Sequence, residues 1–151
     1  MSSTVSRTPG ILLGLGLGGF ADGILLHQIL HWHNMASARL PPVTLEALQT
    51  NMRWDGFFHA AVWIFCIVGV YRLLTDARRG LLLPTPRVFT GLLLMGWGIF
   101  NLVEGSIDHH LLALHHVRDL PVYVPLYDWV FLVVFGIGLI AAGRWLSRAA
   151  L

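Results

Sequence analysis

The side chains of this 151-residue sequence able to do chemistry are mostly imidazoles and carboxylates, eight histidines and eight acids, and they are gathered into a few stretches. Asp22, His27, His31 and His33 form the first, Asp55 and His59 the second, and Glu104, Asp108, His109, His110, His115 and His116 the third. On a helix, residues four or seven apart share a face. That rule pairs His27 with His31, Asp55 with His59, Glu104 with Asp108, Asp108 with His115, and His109 with His116. Imidazoles alternating with carboxylates at such intervals supply nitrogen and oxygen ligands to one or two cations, as metal sites in helical bundles do. The expected metal ligands are His27, His31, Asp55, His59, Glu104, Asp108, His109 and His115. Asp22 and Asp128 are expected behind them as carboxylates that orient imidazoles, with His33 and His116 in the same outer layer. For any one histidine a hydrogen bond to a neighbouring acid is an equally good account; the cluster is what points to metal. With a single cysteine, Cys66, the donor set suits iron, copper(II), zinc or manganese better than copper(I). A pair of iron or copper ions is the favoured occupant, zinc an alternative, and a bis-histidine haem the less favoured rival, because carboxylates crowd the imidazoles.

Long apolar segments must position these groups. The chain is 56% hydrophobic and 12% charged, too apolar for an ordinary soluble fold. A bilayer core needs roughly 20 apolar residues per helix, and residues 10–31, 57–74, 88–107 and 126–146 meet that requirement. The expected fold is an all-α transmembrane four-helix bundle in one integral membrane domain. The first span resembles a signal peptide in position only; it carries Asp22 and has no Ala-x-Ala-like cleavage site, so it is expected to be retained. All ten basic residues are arginines without a run that would grip nucleic acid, which is not an expected partner. Seven of them (Arg7, Arg72, Arg78, Arg79, Arg87, Arg144 and Arg148) fall on one side of this topology, so both termini should be cytoplasmic. Trp32, Trp54 and Trp129 then form an outer aromatic belt, and Thr44 caps a short helix leading into the second span. Gly14, Gly18, Gly19 and Gly23 let neighbouring helices approach closely.

Every histidine and every acid except Asp76 falls in the outer half of this arrangement. Insertion into lipid costs roughly 2.5–3.5 kcal/mol per central acid, so Asp22, Asp55, Glu104 and Asp108 left unpaired would cost on the order of 10 kcal/mol. A bound cation offsets several such charges at once. An internal repeat points the same way: Asp22-Gly-x-x-x-His27 with His33 six residues on matches Glu104-Gly-x-x-x-His109 with His115 six residues on. The repeat predicts two related helical hairpins meeting at a shared site.

The stretches from Gly18 to His33, Asp55 to Ala60 and Asn101 to Arg118 resemble a family of bacterial four-helix membrane proteins catalogued as a domain of unknown function. The resemblance covers nearly the whole chain. It implies the bacterial inner membrane, where the arginine bias turns the site toward the periplasmic side, and gene neighbourhoods of copper handling and cytochrome oxidase assembly. The hydropathy makes the lipid bilayer the expected partner and the resemblance adds respiratory oxidase assembly proteins, while the sequence leaves open whether the chain pairs with a second copy of itself. Three functions follow as expectations: a metal-binding membrane protein in copper handling or oxidase assembly, a two-metal membrane oxidoreductase, and an ion pathway. The last is disfavoured because the inner halves of the spans have almost no polar residues.

Overall fold

The computed structural model describes residues 5–148. Four helices long and apolar enough to cross a membrane make up the chain: α1 (Thr8–Ile29), α2 (Leu45–Arg78), α3 (Pro86–Leu111) and α4 (Pro125–Arg148). Pro9, Pro86 and Pro125 stand in the first turns of α1, α3 and α4, where a missing N–H costs nothing. Thr44 and Thr85 cap α2 and α3, their hydroxyls accepting from the Ala47 and Val88 amides at 3.2 and 3.4 Å. The cap at Thr44 is where the sequence put it, but no short helix follows. Despite glycines at 56 and 69, α2 runs unbroken for 34 residues.

Helices α1 and α3 pack on each other at the centre, with α2 against α1 and α4 against α3. The central crossing depends on Gly14 and Gly96: a Cβ on Gly14 would strike the Leu93 carbonyl and one on Gly96 the Ile11 carbonyl. The bundle is polar inside and apolar outside. His27, His33, His115, Asn51, Asn101, Asp55 and Asp128 are among its most deeply buried large side chains, whereas Phe57, Trp63 and Ile137 are more than half exposed. Lipid rather than water is the solvent that suits such a surface.

The two hairpins, α1–α2 and α3–α4, repeat the same motif on their first helices. Equivalent positions are related by a constant displacement along α1 and α3, which run in the same direction, so the repeat is a parallel one. Both central helices leave α-geometry at the same place, changing to π-helix over Gly23–Ile29 and Gly105–Leu111. Each π segment closes with a backbone bond across five residues, Leu30 N to Leu25 O at 2.8 Å and Leu112 N to Ile107 O at 2.7 Å. Each is followed by a non-glycine residue in the left-handed region, His31 (φ 50°) and Ala113 (φ 46°). That reversal turns the chain back over the bundle end, carrying His33 and His115 inward.

At the opposite end, Ser6 donates to Asp76 Oδ2 at 2.8 Å, Arg72 pairs with Asp76 at 3.3 Å, and the Ser6 amide donates to the Leu82 carbonyl at 2.9 Å. The one acid remote from the others thus ties the N-terminal segment to the α2–α3 loop.

Candidate metal centre

The π segments decide which donors meet. In an α-helix residues five apart point in divergent directions, but in a π turn they stack. Asp22 lies just before the first π segment and His27 inside it; Glu104 and His109 repeat the relation. The His27 Nε2 lies 3.3 Å from Asp22 Oδ2, and the His109 Nε2 lies 3.1 Å from Glu104 Oε1. The left-handed turns then deliver a third donor to each pair. His33 Nε2 stands 3.9 Å from Asp22 Oδ2, and His115 Nε2 stands 2.9 Å from Glu104 Oε1. Two buried triads result, Asp22–His27–His33 and Glu104–His109–His115, each with its ligand atoms all within 4.8 Å of one another.

The triads adjoin. His33 and His115 stack with ring centroids 4.5 Å apart, and His27 is 6.0 Å from His115. They also interlock through the loops. His33 Nδ1 bonds the Val117 carbonyl at 3.0 Å, and His115 Nδ1 bonds the Met35 carbonyl at 3.1 Å, each reaching into the other hairpin. A carbonyl only accepts, so in the neutral ring each Nδ1 carries the hydrogen and each Nε2 presents a lone pair. In the neutral ring those lone pairs face carboxylates, which also only accept; a protonated His115 donates to Glu104 Oε1 instead.

Behind the triads stand two more carboxylates. Asp55 Oδ1 is 3.0 Å from His27 Nδ1 while accepting from Asn34 Nδ2 at 2.7 Å and the Met35 amide at 2.8 Å. Asp128 Oδ1 is 3.6 Å from His109 Nδ1 while the same side chain accepts from the Val117 amide and pairs with His116 Nδ1 and Tyr123. Each therefore fixes the loop that carries one triad's third histidine and orients the central histidine of its own hairpin.

Burial drives the His33 imidazole down, the charges of His115 and His27 act in the same sense, and together they outweigh the nearby Asp22 carboxylate, holding His33 below its ordinary range. Burial acts on His115 in the same sense, but its hydrogen bond to Glu104 and the carboxylate charge prevail and raise it. Among the described residues, both nitrogens of His27, both of His109, His33 Nε2 and Glu104 Oε2 are buried without a hydrogen-bond partner. Their neighbours lie close but off the hydrogen-bonding direction, which is how donors converging on a common point are arranged. Such orphaned atoms are costly in a dry interior, and a cation shared by each triad would satisfy them.

Residues 9–150 match the family described as "Predicted membrane protein (DUF2243)". The chain belongs to that family. No curated protein and no solved structure matches it.

Of the residues singled out in the sequence, the fold brings His27, Glu104, His109 and His115 into the triads, together with Asp22 and His33 from the outer layer. Asp55, Asp128 and His116 lie directly behind them. His31 is exposed at the left-handed turn and outside both triads. His59 is half-buried over Gly23, its ring centroid 6.5 Å from His27 and its Nε2 without a partner. Asp108 is half-buried outside the two triads. The groups that sequence reasoning did not single out are the Met35 and Val117 carbonyls and Asn34. Their one signal is position: Met35 and Val117 each stand two residues beyond a repeated histidine.

Proposed function

We propose that this chain is an integral membrane metalloprotein whose two triads hold a pair of first-row transition-metal ions. The observation that carries the reading is the facing of acceptors: His33 Nε2 and His115 Nε2, their other nitrogens committed to backbone carbonyls, point lone pairs at Asp22 and Glu104 inside a dry bundle. A metal ion shared between them, or a proton on one of the pair, removes the conflict. A proton would serve at one triad; the unpartnered nitrogens of His27 and His109 support a metal at both. Two imidazoles and one carboxylate per ion form the donor set of non-haem iron(II) sites and leave coordination positions open, as a reactive or transfer site requires. Zinc and copper(II) are accommodated by the same ligands. Imidazole rings in mutual contact at 4.4–4.9 Å, with carboxylates between them, leave little room for a porphyrin plane and argue against haem.

With both termini placed in the cytoplasm by the arginine bias, the centre faces the periplasm of a bacterial inner membrane. A role in copper handling or oxidase assembly rests on the family resemblance, and a two-metal oxidoreductase on the open coordination positions. Elemental analysis of the detergent-purified protein, with absorption and paramagnetic resonance spectra, tests the reading. Two ions per chain are expected; less than a tenth of an ion per chain, with no uptake on reconstitution, would end it.

A further inference from the structure

Beside the metal centre a lateral groove of about 490 Å3 runs between α1, α3 and α4. This volume lies within the range of small-molecule sites, roughly 300–1,000 Å3. Its rim is apolar and faces the membrane: Leu25 is 50% exposed, Ile29 61% and Phe135 48%. Trp97 and Phe131 line the wall. At its floor stand two buried polar side chains, Asp22 and Asn101. Asn101 Nδ2 donates to the Phe135 carbonyl at 2.9 Å, at a π segment of α4 (Phe131–Gly138). That bond fixes the amide orientation, so Oδ1 is the atom left over, and it is buried with no partner among the described residues. The first hairpin has Gly19 where the second has Asn101, so this acceptor belongs to one side of the pseudo-symmetric bundle.

The groove therefore offers aromatic walls, an opening to lipid and two hydrogen-bond acceptors at its end. From this we infer that it binds a membrane-soluble aromatic alcohol of the hydroquinone class, with a ring hydroxyl donating to Asn101 Oδ1 above Asp22 and the tail leaving past Leu25 and Ile29. The hydroxyl is required. A carbonyl in the same place would set acceptor against acceptor, so the reduced ring is bound in preference to its quinone. A phospholipid acyl chain fits the rim but leaves Asn101 Oδ1 unsatisfied. This inference stands independently of whether the triads hold metal.

The test uses the full chain in phosphatidylcholine nanodiscs under anaerobic conditions, titrated with 2-decyl-1,4-hydroquinone and followed by calorimetry, with metal content measured on the same samples. Saturable one-to-one binding is expected, with the dimethyl ether of the same compound and the decyl quinone each at least tenfold weaker. Asn101→Leu should weaken binding at least tenfold. Leu25→Trp, which fills the groove from its exposed rim, should abolish binding while leaving metal content unchanged, so that failure of the groove and failure of the metal centre are read separately. Absence of saturable binding, equal binding of hydroquinone and ether, undiminished binding in Leu25→Trp, or displacement of the hydroquinone by added phosphatidylglycerol would each overturn the inference.

Discussion

In the first hairpin the carboxylate behind the central histidine, Asp55, holds the Asn34 amide and the Met35 backbone; in the second, Asp128 holds His116, the Val117 backbone and Tyr123. Around the same positions His59 in one hairpin corresponds to Leu132 in the other, seated over Gly23 and Gly105 respectively, and Gly19 corresponds to Asn101. The donor atoms themselves, a carboxylate and two imidazoles in the same order, are repeated with nothing changed but Asp for Glu. Divergence thus spares the groups that converge on each triad and falls on what surrounds them. Two ions held here would have matching ligands and different neighbours.

The equivalence of the triads is tested most severely by removing one central histidine. His27→Ala and His109→Ala should each lose the ion of the altered triad, leaving one ion per chain, and the double variant should retain none by elemental analysis. Loss of both ions from either single variant would show one shared ion site in place of two. The next largest effect is structural. Gly14→Leu and Gly96→Leu push side chains into the facing helix backbone, and each should destabilise the bundle by about 3 kcal/mol, read by thermal unfolding in detergent. Because the two glycines meet at the pseudo-symmetry crossing, the two losses should be equal.

The carboxylates behind the triads should separate the hairpins. Asp55→Asn and Asp128→Asn are each expected to weaken metal binding by about 10- to 100-fold, measured by competition with a chelator. Asp128→Asn should do more, since its side chain holds three partners where Asp55 holds two besides the histidine. The smallest effect lies at the helix starts. Thr44 caps α2, whereas Val124 offers α4 no side-chain cap. Thr44→Ala should cost about 1 kcal/mol and Val124→Thr should gain up to about 1 kcal/mol in thermal unfolding, with metal content unaltered in both.

How far the site was legible depends on which helical period applied. The i,i+4 rule selected His27 with His31 and Glu104 with Asp108, pairs that an unbroken α-helix would stack. The π segments substitute the five-residue spacing, stacking Asp22 with His27 and Glu104 with His109, and His31 becomes the exposed turn. The repeated Asp/Glu-Gly-x-x-x-His pattern with a histidine six residues later already contained all six residues of the two triads, though periodicity alone ranked Asp22 and His33 behind others.

By itself the sequence determined four membrane-crossing helices, the Thr44 cap, the polar end of the bundle and the twofold repeat, because hydropathy, capping chemistry and spacing are local properties of the chain. Tertiary structure alone decided that His33 and His115 complete the triads, that each is fixed by a carbonyl of the other hairpin, and that a groove opens beside Asn101. Those features depend on a left-handed turn and on loops crossing between hairpins. Contacts between residues so distant along the chain are set by packing, which no local pattern encodes.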